Sequence, residues 1–186
     1  MILIFCMLVK ERNRREIEER LKGMGDYVKI DYLSSCLKQS LDFDSRKFVL
    51  LELSDAYESK RMFTDAGKII QNAAAINTTI AGQITDYVRA GNLFVRGGNF
   101  DEADGVFDRA LALCVNEGQR RDVKKTKKNL YKSQAEFYLT TDKRKNAMTA
   151  YEKLLSLDFD MQEKKELQEK LLVLYEKLGK IRDFYN

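Results

Sequence analysis

The chain has no histidine, no proline and only three cysteines among its 186 residues. Without histidine it lacks the commonest general base and the commonest metal ligand of proteins. It also has no glycine-rich phosphate loop followed by Lys and Ser or Thr, and the segment GGNFDEA at 97–103 fits a turn between two helices. A nucleophilic Ser or Cys would need a base partner that the sequence does not display. We therefore expect a protein that is not an enzyme and that binds neither a cofactor nor a metal.

The absence of proline predicts long uninterrupted helices, because proline ends or kinks a helix. Apolar residues recur three and four positions apart, as at Ala103, Val106, Phe107 and Ala110, and do not alternate as in a strand. No tract rich in Pro, Ser or Gly marks a linker. The sequence predicts one all-α domain over residues 1–186.

The number and spacing of the cysteines indicate the cellular compartment of the protein. Cys6, Cys36 and Cys114 are odd in number and widely separated, which fits neither a disulfide framework nor a paired metal site. Buried free thiols pack as small apolar groups. This usage is typical of a reducing environment, and we expect the protein to be cytoplasmic.

Small and aromatic residues recur between positions 86 and 113 at the spacing of two antiparallel helices. The positions that show this spacing are Tyr87, Gly91, Phe94, Gly98, Phe100, Ala103, Phe107 and Ala110. The small residues let the two helices approach closely, and the aromatic rings fill the space between turns. The segment resembles a tetratricopeptide repeat (TPR), a pair of helices that stacks on further copies of itself.

The turn between these two helices has its own signals. Gly97 and Gly98 are expected to supply the positive φ that ends the first helix. Asp101 then stands where a cap for the second helix is expected.

The pattern recurs on both sides of this unit. Ala66 lies 37 residues before Ala103, and Ala147 lies 44 residues after it. These intervals exceed the usual TPR length of about 34 residues. In this respect the chain is similar to the longer TPR-like proteins, such as the soluble vesicle-fusion attachment proteins.

The resemblance implies a right-handed α-α superhelix, a solenoid of antiparallel helix pairs that occupies the whole chain. Repeats are expected at about 47–78, 84–116 and 120–158, with a degenerate N-terminal unit at about 1–40 and a partial C-terminal unit at about 163–186. Terminal units of such arrays are atypical because one of their sides meets water or a partner.

In TPR proteins the first helices of successive repeats line a concave groove that takes a peptide or a helix of a partner. The residues that the resemblance places in this groove are Glu52, Asp55, Glu58, Arg89, Asn92, Arg96, Lys132 and Glu136. Arg89 and Arg96 can each fork onto a carboxylate of the partner. The function expected is therefore that of a non-enzymatic scaffold or adaptor that binds a protein.

One TPR subclass grips a C-terminal carboxylate with a set of Lys and Asn residues. At the matching positions this chain has Leu51 and Asp55, or Val88 and Asn92 if the match starts one repeat later. We therefore expect recognition of an internal peptide or helix.

Positive charge is concentrated in one part of the chain. Residues 117–145 contain ten Lys or Arg and four Asp or Glu, an excess of six, whereas the whole chain carries a net charge of +4. The cations expected to share one side of a helix, the basic face, are Arg120, Arg121, Lys124, Lys125, Lys127 and Lys128. A solvated helix surface and attraction to anionic lipid or an acidic partner both remain open. Nucleic acid is disfavoured because no nucleic-acid-binding motif accompanies the cations.

The first nine residues, MILIFCMLV, are strongly apolar. They are too few to span a bilayer of about 30 Å, and they lack the basic start and the cleavage site of a signal peptide. The apolar segment consists of Ile2, Leu3, Ile4, Phe5, Leu8 and Val9.

This segment can be interpreted in more than one way. It either covers the end of the solenoid, or docks a second copy of the chain, a partner or a membrane, or belongs to the interior of a longer protein. Used together with the basic face, it gives the alternative function of a membrane-associated trafficking adaptor that resembles the vesicle-fusion attachment proteins.

Overall fold

The computed structural model describes residues 9–157, 159 and 161–180. Over these residues the chain forms nine α-helices and no β-strand. The helices are α1 (Arg14–Leu21), α2 (Asp26–Cys36), α3 (Phe43–Ser59), α4 (Phe63–Ile76), α5 (Ile80–Gly97), α6 (Phe100–Leu113), α7 (Glu117–Thr140), α8 (Arg144–Leu155) and α9 (Met161–Lys177). The prediction of an all-α fold is confirmed. The limits of the individual repeat units stay a prediction.

The same turn joins the two helices in each of the pairs α3–α4, α5–α6 and α7–α8. One residue adopts a positive φ, namely Arg61 (58°), Gly98 (79°) or Asp142 (54°). The next residue donates its N–H to the carbonyl five positions earlier, at 2.8 to 2.9 Å in all three turns. This bond is the hallmark of the Schellman motif, which satisfies a carbonyl left open at the helix end. The three pairs are therefore closed by one recurring local structure.

Two expectations about the central turn are wrong. Gly98 alone has a positive φ, and Gly97 is the last residue of α5. Asp101 does not cap α6: the N-cap is Asn99, and no side chain caps that helix. Asp101 lies in the first turn, where its carboxylate accepts a hydrogen bond of 2.6 Å from Nζ of Lys153. The carboxylate that the sequence assigns to capping is therefore paired with the ammonium group of Lys153 in α8.

Glycine permits the close approach of neighbouring helices at two positions. A Cβ atom on Gly91 of α5 would lie 2.6 Å from the ring of Phe107 in α6. A Cβ atom on Gly67 of α4 would lie 2.9 Å from the ring of Phe94 in α5. Because real Cβ contacts are longer than this, each aromatic ring packs directly on helix backbone. This contact explains the spacing of small and aromatic residues in the sequence.

The apolar core consists of two clusters. The larger one runs from Ala66 to Tyr175 and includes residues of α4 to α9, and the smaller one runs from Val9 to Leu53 and includes residues of α1 to α3. Tyr57 packs against both clusters.

Val9 is buried in the smaller cluster, and Nε2 of Gln39 donates to its carbonyl at 2.6 Å. The side chain of Val9 is therefore not available for docking. The rest of the apolar segment, together with Cys6, lies outside the described residues.

Candidate functional site

The structure places the predicted groove residues on the first helices of the three pairs. We call this surface the first-helix face, and it is formed by Glu52, Asp55 and Glu58 of α3, Arg89, Asn92 and Arg96 of α5, and Lys132 and Glu136 of α7. All eight residues are partly or fully exposed. None of them contributes to the apolar core, so all can meet a partner.

The cations of α5 are engaged by carboxylates of α3. The guanidinium of Arg89 donates to Asp55, and that of Arg96 donates to Glu58. Arg96 also lies over the ring of Phe63, with its guanidinium carbon 4.2 Å from the ring centroid. Each arginine therefore already binds a carboxylate within the chain, and its contact with a partner stays a prediction. Exposed pairs of this kind contribute about 0.2 to 1 kcal/mol each.

A cleft of about 590 Å³ opens beside this face, where α5 and α7 end and α4 and α8 begin. We call it the turn-end cleft, and the lining residues that matter below are Arg61, Phe63, Gln134, Phe137, Tyr138 and Lys143. α7 packs less extensively against α5 and α6 than α5 packs against α4 and α6, and the cleft lies at the ends of α5 and α7.

Two polar side chains of α7 are buried in the wall of this cleft. Gln134 and Tyr138 are 8% and 5% exposed and lie one helical turn apart. Neither side chain has a hydrogen bond to another group in the part of the chain that the structure describes. Their polar atoms are not among the buried atoms that lack a partner, so they reach the open space of the cleft. The sequence analysis did not single out either residue for binding, although both lie on the buried side of α7.

One family of known proteins matches part of the chain next to the cleft. Residues 87–121 match the family model of the tetratricopeptide repeat, which spans α5, α6 and the start of α7. The chain contains a tetratricopeptide repeat. No curated protein matches the chain in a sequence search. Because TPR arrays present extended surfaces for binding proteins, the TPR segment indicates a protein-interaction module.

The basic face begins within the TPR segment, and some of its cations form ion pairs within the chain. Nζ of Lys127 lies 2.7 Å from Oδ1 of Asp104, and Nζ of Lys128 donates to Glu163 at 3.2 Å. Arg120 forms an ion pair of 3.6 Å with Glu117. The remaining cations, Arg121, Lys124 and Lys125, have no ion pair within the described residues and border a cavity of about 420 Å³. Half of the predicted basic face is thus charge-compensated within the chain.

Asp104 of the TPR segment is the centre of a partly buried polar network. It accepts hydrogen bonds from the hydroxyl of Tyr131 at 2.7 Å and from Nζ of Lys153 at 3.2 Å, in addition to the contact with Lys127. Burial acts to raise the pKa of Asp104, but the hydrogen bonds from these three groups outweigh it and hold that pKa below its usual value. An ionised carboxylate with every partner in place stabilises the packing of α6 against α7 and α8.

The described cysteines lie outside the first-helix face. Cys36 and Cys114 are free and buried, and burial raises the pKa of the Cys36 thiol, which keeps it in the less nucleophilic form. No group of three or more Cys, Asp or Glu side chains in the described ranges is placed to hold a metal ion. Nor does any described helix have the length and apolar character that a membrane crossing requires.

Proposed function

We propose that the chain is a non-catalytic scaffold that docks a protein partner on the first-helix face. The observation that carries this proposal is the exposure of all eight face residues on first helices, beside a matched TPR segment. First helices supply the binding surface in stacked helical repeats. The mechanism is positioning: the partner is held in place, and no bond of it is made or broken.

The ion pairs between α3 and α5 support this function. They fix the side chains of Asp55 and Arg89 before a partner arrives, which lowers the conformational entropy lost on binding. On α7, Lys132 and Glu136 are exposed and form no ion pair within the described residues. The residues paired between α3 and α5 therefore give the face a fixed shape. Lys132 and Glu136 of α7 provide charges that a partner can contact.

We expect an exchange of charge on α7 to weaken partner binding. The variant carries Lys132→Glu together with Glu136→Lys. Its net charge is unchanged, but the order of the two charges along α7 that a partner would contact is reversed. Partners captured from a cell lysate by the intact chain are to be identified by mass spectrometry. A specific partner should be reduced at least about tenfold with the variant, as like charges brought together at an interface cost over about 1.4 kcal/mol.

A matched control is available on α9. Lys165→Glu with Glu169→Lys exchanges two exposed charges at the same spacing on a helix outside the face. Arg89 and Arg96 are unsuitable for this test, because reversing them also breaks their pairs with α3. Equal capture by the α7 variant, the α9 variant and the intact chain would exclude the first-helix face as the docking surface.

No observation in the described residues favours the membrane-associated adaptor. Three of the six cations of the basic face are in ion pairs, and Val9 of the apolar segment is buried. That alternative and a homodimer formed through the apolar segment stay predictions.

A further inference from the structure

We propose that the turn-end cleft binds an acidic peptide segment of a protein partner, with an apolar side chain next to the acidic residues. This deepens the proposed function, since it assumes a protein partner, but it assigns the binding to a site that lies beside the first-helix face and shares Arg96 with it. Four independent features of the cleft carry the inference: its charge, its helix ends, its buried polar groups and its exposed rings.

The cleft carries an excess of positive charge. Arg61, Arg96 and Lys143 line it, against the one carboxylate of Asp65. Arg96 is paired with a carboxylate of α3, whereas Arg61 and Lys143 have no ion pair in the described part of the chain. Low-dielectric walls strengthen the attraction of such cations for an anionic group.

Two helices begin at the cleft with their first N–H groups uncapped. The N-cap residues Met62 of α4 and Lys143 of α8 accept no side-chain hydrogen bond from the following turn. These helices contain 14 and 12 residues, and each presents residues of its start to the cleft. Free N–H groups and the positive end of the helix dipole favour an anion at such a position. Asp65 offsets this effect in α4, but α8 has no acidic residue in its first turn.

The buried polar groups of α7 distinguish a peptide from a bare anion. The amide of Gln134 both donates and accepts, which matches the N–H and C=O of a peptide backbone. The hydroxyl of Tyr138 can donate to a carboxylate. Because neither side chain bonds to another described protein group and their polar atoms reach the open cleft, both can bond to a ligand that supplies a donor and an acceptor.

Exposed apolar groups complete the site. Phe137 is 47% exposed and lies in the cleft together with Met62 and Phe63. An inorganic anion would leave these groups in water, whereas a Phe, Leu or Met of a peptide would cover them. The volume of about 590 Å³ lies within the range of about 300 to 1,000 Å³ typical of ligand sites.

Selection from a displayed library of short random peptides on the full chain tests this inference. We expect enrichment of sequences in which Asp or Glu flanks an apolar residue. The best peptide, labelled with a fluorophore, is then titrated by anisotropy against the intact chain, Lys143→Glu and Gln134→Leu. Each substitution should raise its Kd by about tenfold, the usual effect of losing one hydrogen bond to a charged or buried group.

The controls separate this site from other surfaces. Lys125→Glu makes the same charge change outside the cleft and should leave the Kd within about twofold, as expected for a distant exposed charge. Arg61→Gly removes a cation at a positive φ that glycine adopts without strain, so a rise in Kd there does not reflect misfolding. Full competition by inorganic phosphate alone would show a general anion site and overturn the peptide assignment.

The result is distinguishable from that of the partner-capture experiment. The exchange at Lys132 and Glu136 should leave the Kd of the selected peptide unchanged, because neither residue lines the cleft. If the exchange abolishes peptide binding, the peptide lies on the first-helix face and the cleft is excluded. Selection without enrichment, or enrichment of basic peptides, would also overturn the inference and leave the first-helix face untouched.

Discussion

Asp104→Ala is expected to lower the free energy of unfolding by about 1 to 3 kcal/mol, the usual cost of leaving a buried group without its partner. Lys127 is 9% exposed, and Asp104 is its ion-pair partner at 2.7 Å. Without the carboxylate, this ammonium group stays buried and uncompensated, and the hydroxyl of Tyr131 loses its shorter hydrogen bond. Urea unfolding followed by far-UV circular dichroism measures the effect.

Asp101→Ala is the matched control for this substitution. Asp101 shares the partner Lys153 with Asp104, but its side chain is exposed to solvent. We expect its removal to change the free energy of unfolding by no more than about 1 kcal/mol, as for other surface pairs. If both substitutions cost the same, the contact of Asp104 with the buried Lys127 is not what makes the network stabilising.

The contribution of Asp104 should also depend on pH. Its folded-state pKa lies below the usual 3.8, so its stabilisation is complete above about pH 4 and is lost as the pH falls through the folded-state pKa. We expect the difference in unfolding free energy between the intact chain and Asp104→Asn to be constant near neutral pH and to shrink below about pH 4. Urea unfolding at a series of pH values measures it. A difference that stays constant down to the acid limit would contradict the assignment.

Gly91→Ala is expected to destabilise the fold by about 1 to 3 kcal/mol, as overpacking in a close-packed core does. The added methyl group would lie 2.6 Å from the ring of Phe107, which is fully buried and cannot move into solvent. Either α5 and α6 separate or the ring leaves its preferred rotamer. Thermal and urea unfolding of the variant measure the loss.

We expect the opposite effect, a gain in stability, from Gly105→Ala in the neighbouring helix. Gly105 lies within α6, is exposed, and has no atom within 4 Å of the place where a Cβ would stand. Alanine is favoured over glycine inside a helix by about 0.5 to 1 kcal/mol, so this variant should be more stable than the intact chain. Destabilisation by both substitutions would mean that the space beside Gly91 is not the cause.

The fold was predictable because its signals are local. The spacing of glycines and aromatic rings in α5 and α6 reports the close contact of Gly91 with Phe107, and both lie within one helix pair. The recurring turn was recognised only at Gly98, where a glycine occupies the positive φ. At Arg61 and Asp142 the same backbone is formed by residues that rarely adopt it, so composition gave no sign of it.

The position of the candidate residues on the first helices was predictable, and their pairing was not; that they bind a partner stays a prediction. Arg89 contacts a residue 34 positions earlier, and Arg96 contacts one 38 positions earlier, which are distances close to the repeat length. That relation could have been found by aligning the repeats and comparing charges. The turn-end cleft could not, since it depends on how α7 packs against α5 and α6, and no short segment of sequence encodes that arrangement.

The division of the core into two clusters sets the order in which the molecule opens. Cluster members in α1 and α2 do not extend into α5 to α9, so these helices can detach without exposing the interior of the larger cluster. In a linear array, each unit is stabilised by its own contacts and by its neighbours alone. We therefore expect sub-global opening to include the N-terminal helices, while α5 to α8 exchange their amide hydrogens only when the larger cluster unfolds. The α5 and α7 residues of the proposed docking surface thus belong to the part of the chain that we expect to open last.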